Sequence, residues 1–169
     1  MAEQAGPIEE LIVSWAEVHR DTRHMVRRLI ELGPWKGIVA LTRGGLVPAA
    51  IIARELEIRV IDTLCIASYD HQDQGRLDVL KEPSEATADG GEGWLVIDDL
   101  VDSGATARET RRLMPKVYIA TVYAKPNGLD ATDLYVHDVA QETWVHFPWD
   151  TETRYSRPVA DQPDGAAAE

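Results

Sequence analysis

Short, almost wholly apolar runs alternate along this chain with segments in which apolar residues return every three or four positions. Gly37-Ile38-Val39-Ala40-Leu41, Ile58 to Ser68, Trp94-Leu95-Val96-Ile97 and Val117 to Ala124 are runs of the first kind, bounded by Gly, Pro or acidic residues, and they predict buried strands. Val18, Thr22, Met25, Val26, Leu29 and Ile30 share helical spacing and predict the buried face of a helix ending at Gly33-Pro34. Ser14 with Glu17 has the spacing of a capping box at the start of that helix, and Leu11 to Trp15 reads as a short edge strand before it. Leu46 to Leu56, with Pro48 tolerable in its first turn, and Ala105 to Met114 predict two further helices. Strand thus alternates with helix, which predicts an α/β fold: a mainly parallel central sheet flanked by helices, with ligands at the C-terminal ends of its strands.

Three segments depart from this alternation. Between Asp70 and Gly93 only Leu77, Val79 and Leu80 interrupt a polar stretch punctuated by Gly, Pro and Asp, a composition that suits a functional lid better than a passive linker. After Lys125-Pro126-Asn127-Gly128 come a brief strand near Leu134 to Val136 and an aromatic-rich stretch, Trp144-Val145-His146-Phe147-Pro148-Trp149-Asp150. Ser156 to Glu169 is rich in Pro, Asp and Ala and reads as a tail disordered at its end.

A length of 169 residues with 44% hydrophobic residues suits one core and is short for two. No apolar run approaches the roughly 20 residues that cross a bilayer, and Met1 to Pro7 has neither the basic nor the apolar character of an export signal, so the expected location is cytoplasmic. A formal net charge of −12 argues against indiscriminate nucleic-acid binding, which draws on clustered Lys and Arg; an anionic ligand must be held by local geometry. Cys65 is the only cysteine, which removes intrachain disulfides and multi-cysteine metal sites, and its apolar neighbours suggest a buried structural thiol. None of the five histidines has spacing suited to zinc; His19 and His24 read as helix-surface residues and His71 as part of the lid.

The chemistry concentrates where the third apolar run meets Asp98-Asp99-Leu100-Val101-Asp102-Ser103-Gly104-Ala105-Thr106. Carboxylates at a strand end can hold ribose hydroxyls or a hard cation, and small residues opening a helix offer a phosphate hydroxyls, close backbone approach and unpaired N–H groups. The alternative reading of Asp98-Asp99, taken alone, is a solvated acidic pair at a strand end. Arg43-Gly44-Gly45 follows another strand, where a tight turn presents backbone N–H groups and one added charge; the alternative is an ordinary strand-to-helix turn with an exposed Arg.

These segments, with Trp35-Lys36-Gly37-Ile38, Arg43-Gly44-Gly45-Leu46-Val47-Pro48, Ser68-Tyr69-Asp70-His71, Ala124-Lys125-Pro126, Thr143-Trp144-Val145 and Pro148-Trp149-Asp150, resemble the bacterial xanthine-guanine branch of the type I phosphoribosyltransferase family from about Leu11 to Asp150. The resemblance implies a type I phosphoribosyltransferase fold in one domain, 1–155, with a flexible lid and a small base-binding hood formed by chain ends of about 1–20 and 126–155. It implies transfer of 5-phosphoribosyl from phosphoribosyl pyrophosphate (PRPP) to N9 of guanine or xanthine, hypoxanthine being weaker, with release of pyrophosphate. The implied cofactor is Mg2+, held by Asp99, with Asp98 on the ribose hydroxyls.

By the same resemblance Asp98 to Thr106 (Asp98, Asp99, Leu100, Val101, Asp102, Ser103, Gly104, Ala105, Thr106) contact PRPP, with the 5-phosphate in the loop Val101 to Thr106. Arg43 and Gly44 belong to a pyrophosphate loop that in this family often carries a non-proline cis peptide. Asp102 is the general base near purine N7, Lys125 donates to purine O6, Trp144 stacks on the ring, Val145 reads the 2-position and Asp150 helps receive a 2-amino group; Trp149 reads as packing. The chain departs from its close relatives at Ser103 and Ala105, where they carry Thr and Gly. Gly75 stands where the family has a lid Arg, which leaves Arg76, after a one-residue adjustment, or Lys81 to supply that charge. The resemblance further implies a homotetramer and leaves peripheral association with the inner membrane face open. Two other readings stay open: a hypoxanthine-preferring transferase, and a nucleotide-sensing regulator on the same fold.

Overall fold

The structure, a computed structural model, describes residues 9–68 and 77–150. They form two compact units. The larger comprises 16–141, and the smaller joins residues up to Trp15 to those from Glu142 onward.

In the larger unit, strands β2 (Gly37–Thr42), β3 (Ile61–Ser68), β4 (Leu77–Lys81), β5 (Trp94–Val101), β6 (Tyr118–Ala124) and β7 (Leu134–Asp138) make one sheet in the order β4-β3-β2-β5-β6-β7. Every pairing is parallel except β3 with β4 at one edge. Helices α1 (Trp15–Leu32), α2 (Leu46–Glu55), α3 (Ser84–Ala88) and α4 (Ala105–Leu113) connect or flank the strands, and the mainly parallel sheet of the sequence analysis is present. Parallel strands buried on both faces need continuous apolar runs, and Val39, Leu41, Leu64, Val96 and Ile119 are all within 3% of complete burial. Gly37 lies opposite Trp94, whose ring occupies the space a Cβ on Gly37 would need, so a glycine in a strand here makes room for a buried indole.

Several boundaries differ from expectation. The strand predicted to stop at Ile97 continues through Asp98 and Asp99 to Val101, because β6 keeps pairing with it as far as Val101↔Ala124. The stretch from 77 to 93, expected to lack secondary structure, contains β4 and α3; Leu77 and Val79 pair across to Ser68 and Ile66. Residues 69–76, among them His71 and Arg76 of the lid expected between Asp70 and Gly93, lie outside the described residues, as does the tail expected from Ser156. Ile30, assigned to the buried face of α1, is 62% exposed: it stands about 120° round the helix from Val18, beyond the stripe that Met25, Val26 and Leu29 occupy. Cys65, expected to be buried, is half-buried on β3, next to the edge strand β4.

In the smaller unit β1 (Glu10–Ile12) pairs in parallel with β8 (Trp144–His146), Leu11 opposite Val145. Trp15, expected at the end of that first strand, opens α1 instead, directly after Ser14 at the capping position. Phe147 stacks on Trp149 at 4.8 Å between ring centroids, with Trp15 5.9 Å from Trp149, so Trp149 is a packing residue.

Candidate active site

The strand order places the topological switch between β2 and β5: the chain leaves β2 toward β3 on one side, and leaves β5 toward β6 and β7 on the other. The connections diverge there and leave a crevice at the C-terminal ends of these two strands. The turns after β2 and β5 border it.

After β2, the Thr42–Arg43 peptide is cis, and Arg43 to Gly45 turn tightly into α2, with the Leu46 N–H donating to the Arg43 carbonyl at 3.1 Å. Both glycines are there for close approach. A Cβ on Gly44 would meet the carboxylate of Asp99, and one on Gly45 would meet the carbonyl oxygens of Ile97 and Leu41. The turn therefore sits directly on the acid-bearing part of β5, and Arg43 is exposed at its tip.

Within β5 the acids are adjacent. The Asp99 N–H donates to Asp98 Oδ1 at 3.0 Å, and the Leu100 N–H to Asp99 Oδ1 at 2.7 Å. Burial, reinforced by the neighbouring Asp99 carboxylate, holds the Asp98 carboxyl well above the usual carboxylate range. Among the described residues no cluster of three or more His, Cys, Asp or Glu is arranged to cage a metal. Paired carboxylates without a full cage fit a hard ion that draws most of its ligands from water and substrate oxygens, which is the coordination habit of Mg2+.

Beyond Val101 the chain turns through Asp102 and Ser103 to Gly104, whose φ of 79° lies in the left-handed region, and α4 begins at Ala105. Ser103 Oγ accepts from the Ala105 N–H at 3.3 Å. A cavity of about 120 Å³ opens here, lined by Asp98, by Leu100 to Thr106 and by Thr121 on β6. The N-terminus of α4 opens on this cavity with the orphan N–H groups and positive dipole end that suit an anion. Ser103 and Ala105, the departures noted above, preserve both a hydroxyl and the turn.

Lys125 follows β6, its N–H bonded to the Val101 carbonyl at 2.9 Å. Only 6% of Lys125 is exposed, and its Nζ donates to Asp102 Oδ2 at 3.1 Å. A buried ammonium needs an acceptor, and among the described residues Asp102 supplies a charged one.

Some residues that the sequence analysis missed complete the loop. Arg108, one turn into α4, donates to the Ser103 carbonyl at 2.8 Å and to Asp130 Oδ1 at 2.7 Å. Gln141 Nε2 donates to Asp102 Oδ1 at 2.7 Å. The position of Arg108, four residues after Gly104 on a helix, is a local signal that could have revealed it; Gln141, separated from Asp102 by 39 residues, had none. Lys81, the alternative source of lid charge, is instead engaged along the sheet edge with Asp62 at 2.5 Å and the Thr63 carbonyl at 2.8 Å.

The larger unit thus brings together Arg43, Gly44, Asp98, Asp99, Asp102, Lys125 and the loop to Thr106. Trp144, Val145 and Asp150 belong to the smaller unit. Trp144 is 63% exposed on β8, while Val145 is buried. Asp150 Oδ2 accepts from the Phe147 N–H at 3.2 Å, closing a turn.

A doubly wound sheet with an anion-receiving helix N-terminus and paired carboxylates at its switch point defines the class: an α/β protein built to bind a phosphorylated sugar. Residues 12–156 match the phosphoribosyl transferase domain. The chain is 50% identical to a xanthine-guanine phosphoribosyltransferase of Chromohalobacter salexigens over 91% of its own length and 92% of that protein. It is 52% identical to one of Nitratidesulfovibrio vulgaris over 89% and 91%. The chain therefore belongs to the phosphoribosyltransferase family. Solved structures share the fold: a purine phosphoribosyltransferase of Pyrococcus horikoshii has a TM-score of 0.73 at 22% identity, covering 88% of this chain and 99% of that one. A xanthine-guanine-hypoxanthine phosphoribosyltransferase of Helicobacter pylori has a TM-score of 0.71 at 22% identity, covering 85% and 95%.

Proposed function

We propose that this chain transfers the 5-phosphoribosyl group of PRPP to N9 of guanine or xanthine, and more weakly of hypoxanthine, releasing pyrophosphate and giving GMP, XMP or IMP. The observation that carries this reading is the buried Lys125 ammonium held on Asp102 beside the phosphate-receiving loop. An ammonium has only donors, so it pairs with the O6 acceptor of a 6-oxopurine and rejects the amino group of adenine. Relatives near 50% identity named xanthine-guanine phosphoribosyltransferases support the choice of bases.

The transferred sugar passes through an oxocarbenium-like state as the bond from C1 to the pyrophosphate oxygen breaks and its electron pair leaves with that oxygen. The loop from Val101 to Thr106 holds the 5-phosphate and so fixes C1 against the incoming base. Asp98 orients the ribose hydroxyls, Asp99 is the acid that would hold Mg2+, and Arg43 adds charge beside the pyrophosphate. Mg2+, when bound, neutralises charge on the departing pyrophosphate. As N9 forms its bond to C1, the purine sheds its N7 proton to Asp102. What supports Trp144 as a stacking ring is its exposure on β8; Val145 and Asp150 are proposed at the 2-position on the resemblance. The proposed assembly is a homotetramer.

The test is pyrophosphate release from PRPP and Mg2+ with guanine, xanthine, hypoxanthine, adenine and uracil supplied separately. Guanine and xanthine should turn over fastest, hypoxanthine more slowly, and adenine and uracil at background. No release with any 6-oxopurine overturns the proposal.

A further inference from the structure

Both oxygens of the Asp102 carboxylate are occupied, by donors from different parts of the larger unit. Lys125 Nζ donates to Oδ2 at 3.1 Å and Gln141 Nε2 to Oδ1 at 2.7 Å. The Gln141 amide has no freedom to reverse: its Oε1 accepts from the Asn127 N–H at 3.0 Å, and a carboxylate oxygen takes only a donor, so Nε2 must face Asp102. Gln141 therefore links the backbone of the turn after Lys125 to the Asp102 side chain in the turn after β5.

The two donors have different prospects once a base arrives. Lys125 is the group that would move its Nζ onto purine O6, and in doing so it gives up Oδ2. The Asp102 side chain is 55% exposed, so without Gln141 a carboxylate released by Lys125 would be free to change rotamer. Gln141 has no such reason to leave. We propose that Gln141 is a positioning residue for Asp102: it retains Oδ1 while Lys125 transfers to the base, and so presents Oδ2 to the N7 proton. The inference rests on the transferase reading above and deepens its proton step. It assigns the site a partner exchange, in which one donor is surrendered to substrate and the other maintains geometry.

The experiment compares wild-type protein with Gln141→Met, Gln141→Glu and Asp102→Ala, and with Gln141→Met in the Asp102→Ala background, using guanine, PRPP and Mg2+. Met keeps the length of the side chain and removes both hydrogen bonds. Glu keeps the acceptor for the Asn127 N–H and replaces the donor to Asp102 with a second carboxylate. Loss of orientation should lower kcat in Gln141→Met by about tenfold to a hundredfold, with KM for PRPP within about twofold of wild type. Gln141→Glu should be at least as impaired, because tethering the turn does not restore the donor. In the Asp102→Ala background Gln141→Met should change kcat by less than about twofold, because the group it positions is gone.

Wild-type kcat in Gln141→Glu overturns the proposal and leaves Gln141 as a tether. So does an undiminished effect of Gln141→Met without Asp102. Should Gln141→Met fold poorly, Gln141→Glu still decides, since it keeps the Asn127 contact. A wild-type protein inactive on every 6-oxopurine overturns the transferase reading itself, whereas an active wild type with unimpaired Gln141 variants overturns only this inference.

Discussion

At the scale of single residues, the site depends on a lysine whose burial was not legible in its sequence context. Ala124-Lys125-Pro126 shows only a charge just past a strand, yet Lys125 is buried and Asp102 supplies its counter-charge. Two substitutions separate the roles. Lys125→Ala removes the donor proposed for O6, and loss of a charge-assisted hydrogen bond of about 1.5–3 kcal/mol should raise KM for guanine by about tenfold to a hundredfold while sparing KM for PRPP. Asp102→Asn keeps the shape and an acceptor for Lys125 but cannot take a proton, so kcat should fall by about a hundredfold to ten-thousandfold. Steady-state kinetics in both substrates, with thermal midpoints alongside, checks both; an equal loss of folded protein in the two variants would instead mark the pair as structural.

Among the elements, β2 and β5 have to come within glycine distance for the crevice to exist. Gly44 and Gly45 look alike in sequence, and the structure gives them different neighbours: a carboxylate side chain in one case, two backbone carbonyls in the other. Gly45→Ala must push backbone apart and should cost roughly 1–3 kcal/mol, a fall of a few degrees in thermal midpoint for a chain of this size. Gly44→Ala can be accommodated by turning Asp99 aside, so its thermal midpoint should fall less while its transfer activity falls more. Calorimetry and pyrophosphate release on both variants test this ordering, and a reversed order would sink it. The elements themselves were largely readable, because apolar runs and helical stripes are local. The extension of β5 to Val101 and the strand β4 were not: each exists through hydrogen bonds to a neighbouring strand, β6 and β3 respectively.

On the scale of the whole molecule, α1 is fastened to the sheet by a polar cluster in an otherwise apolar contact. The Asp21 carboxylate, 3% exposed, accepts from Tyr123 Oη at 2.9 Å and from Arg20 Nε at 2.8 Å, and lies 3.2 Å from His137 Nε2. Burial alone would raise its pKa, but Arg20, His137 and Tyr123 together hold it below the usual value, while burial and the Asp21 carboxylate push the Tyr123 phenol upward. The signs follow. A depressed carboxylate stabilises the fold above its unfolded pKa of about 4, and that contribution is lost as pH falls through the lower folded value. A raised phenol stabilises below its ordinary value of about 10, and that contribution is lost as pH rises beyond it. Thermal unfolding from pH 2 to pH 7 should therefore show a shallower acid decline in Asp21→Asn than in wild type; parallel declines would deny Asp21 this role. Read by itself, the sequence determined the alternation of strand and helix, the class of sheet, and the small-residue turns that end β2 and β5, because these depend on neighbours within one turn or one strand. Only the tertiary structure decided that Lys125 is buried on Asp102, that Gly44 abuts Asp99 and that Gln141 holds the carboxylate. Those contacts join residues far apart in the chain, and their energy comes from burial and pairing that exist only once the sheet has formed.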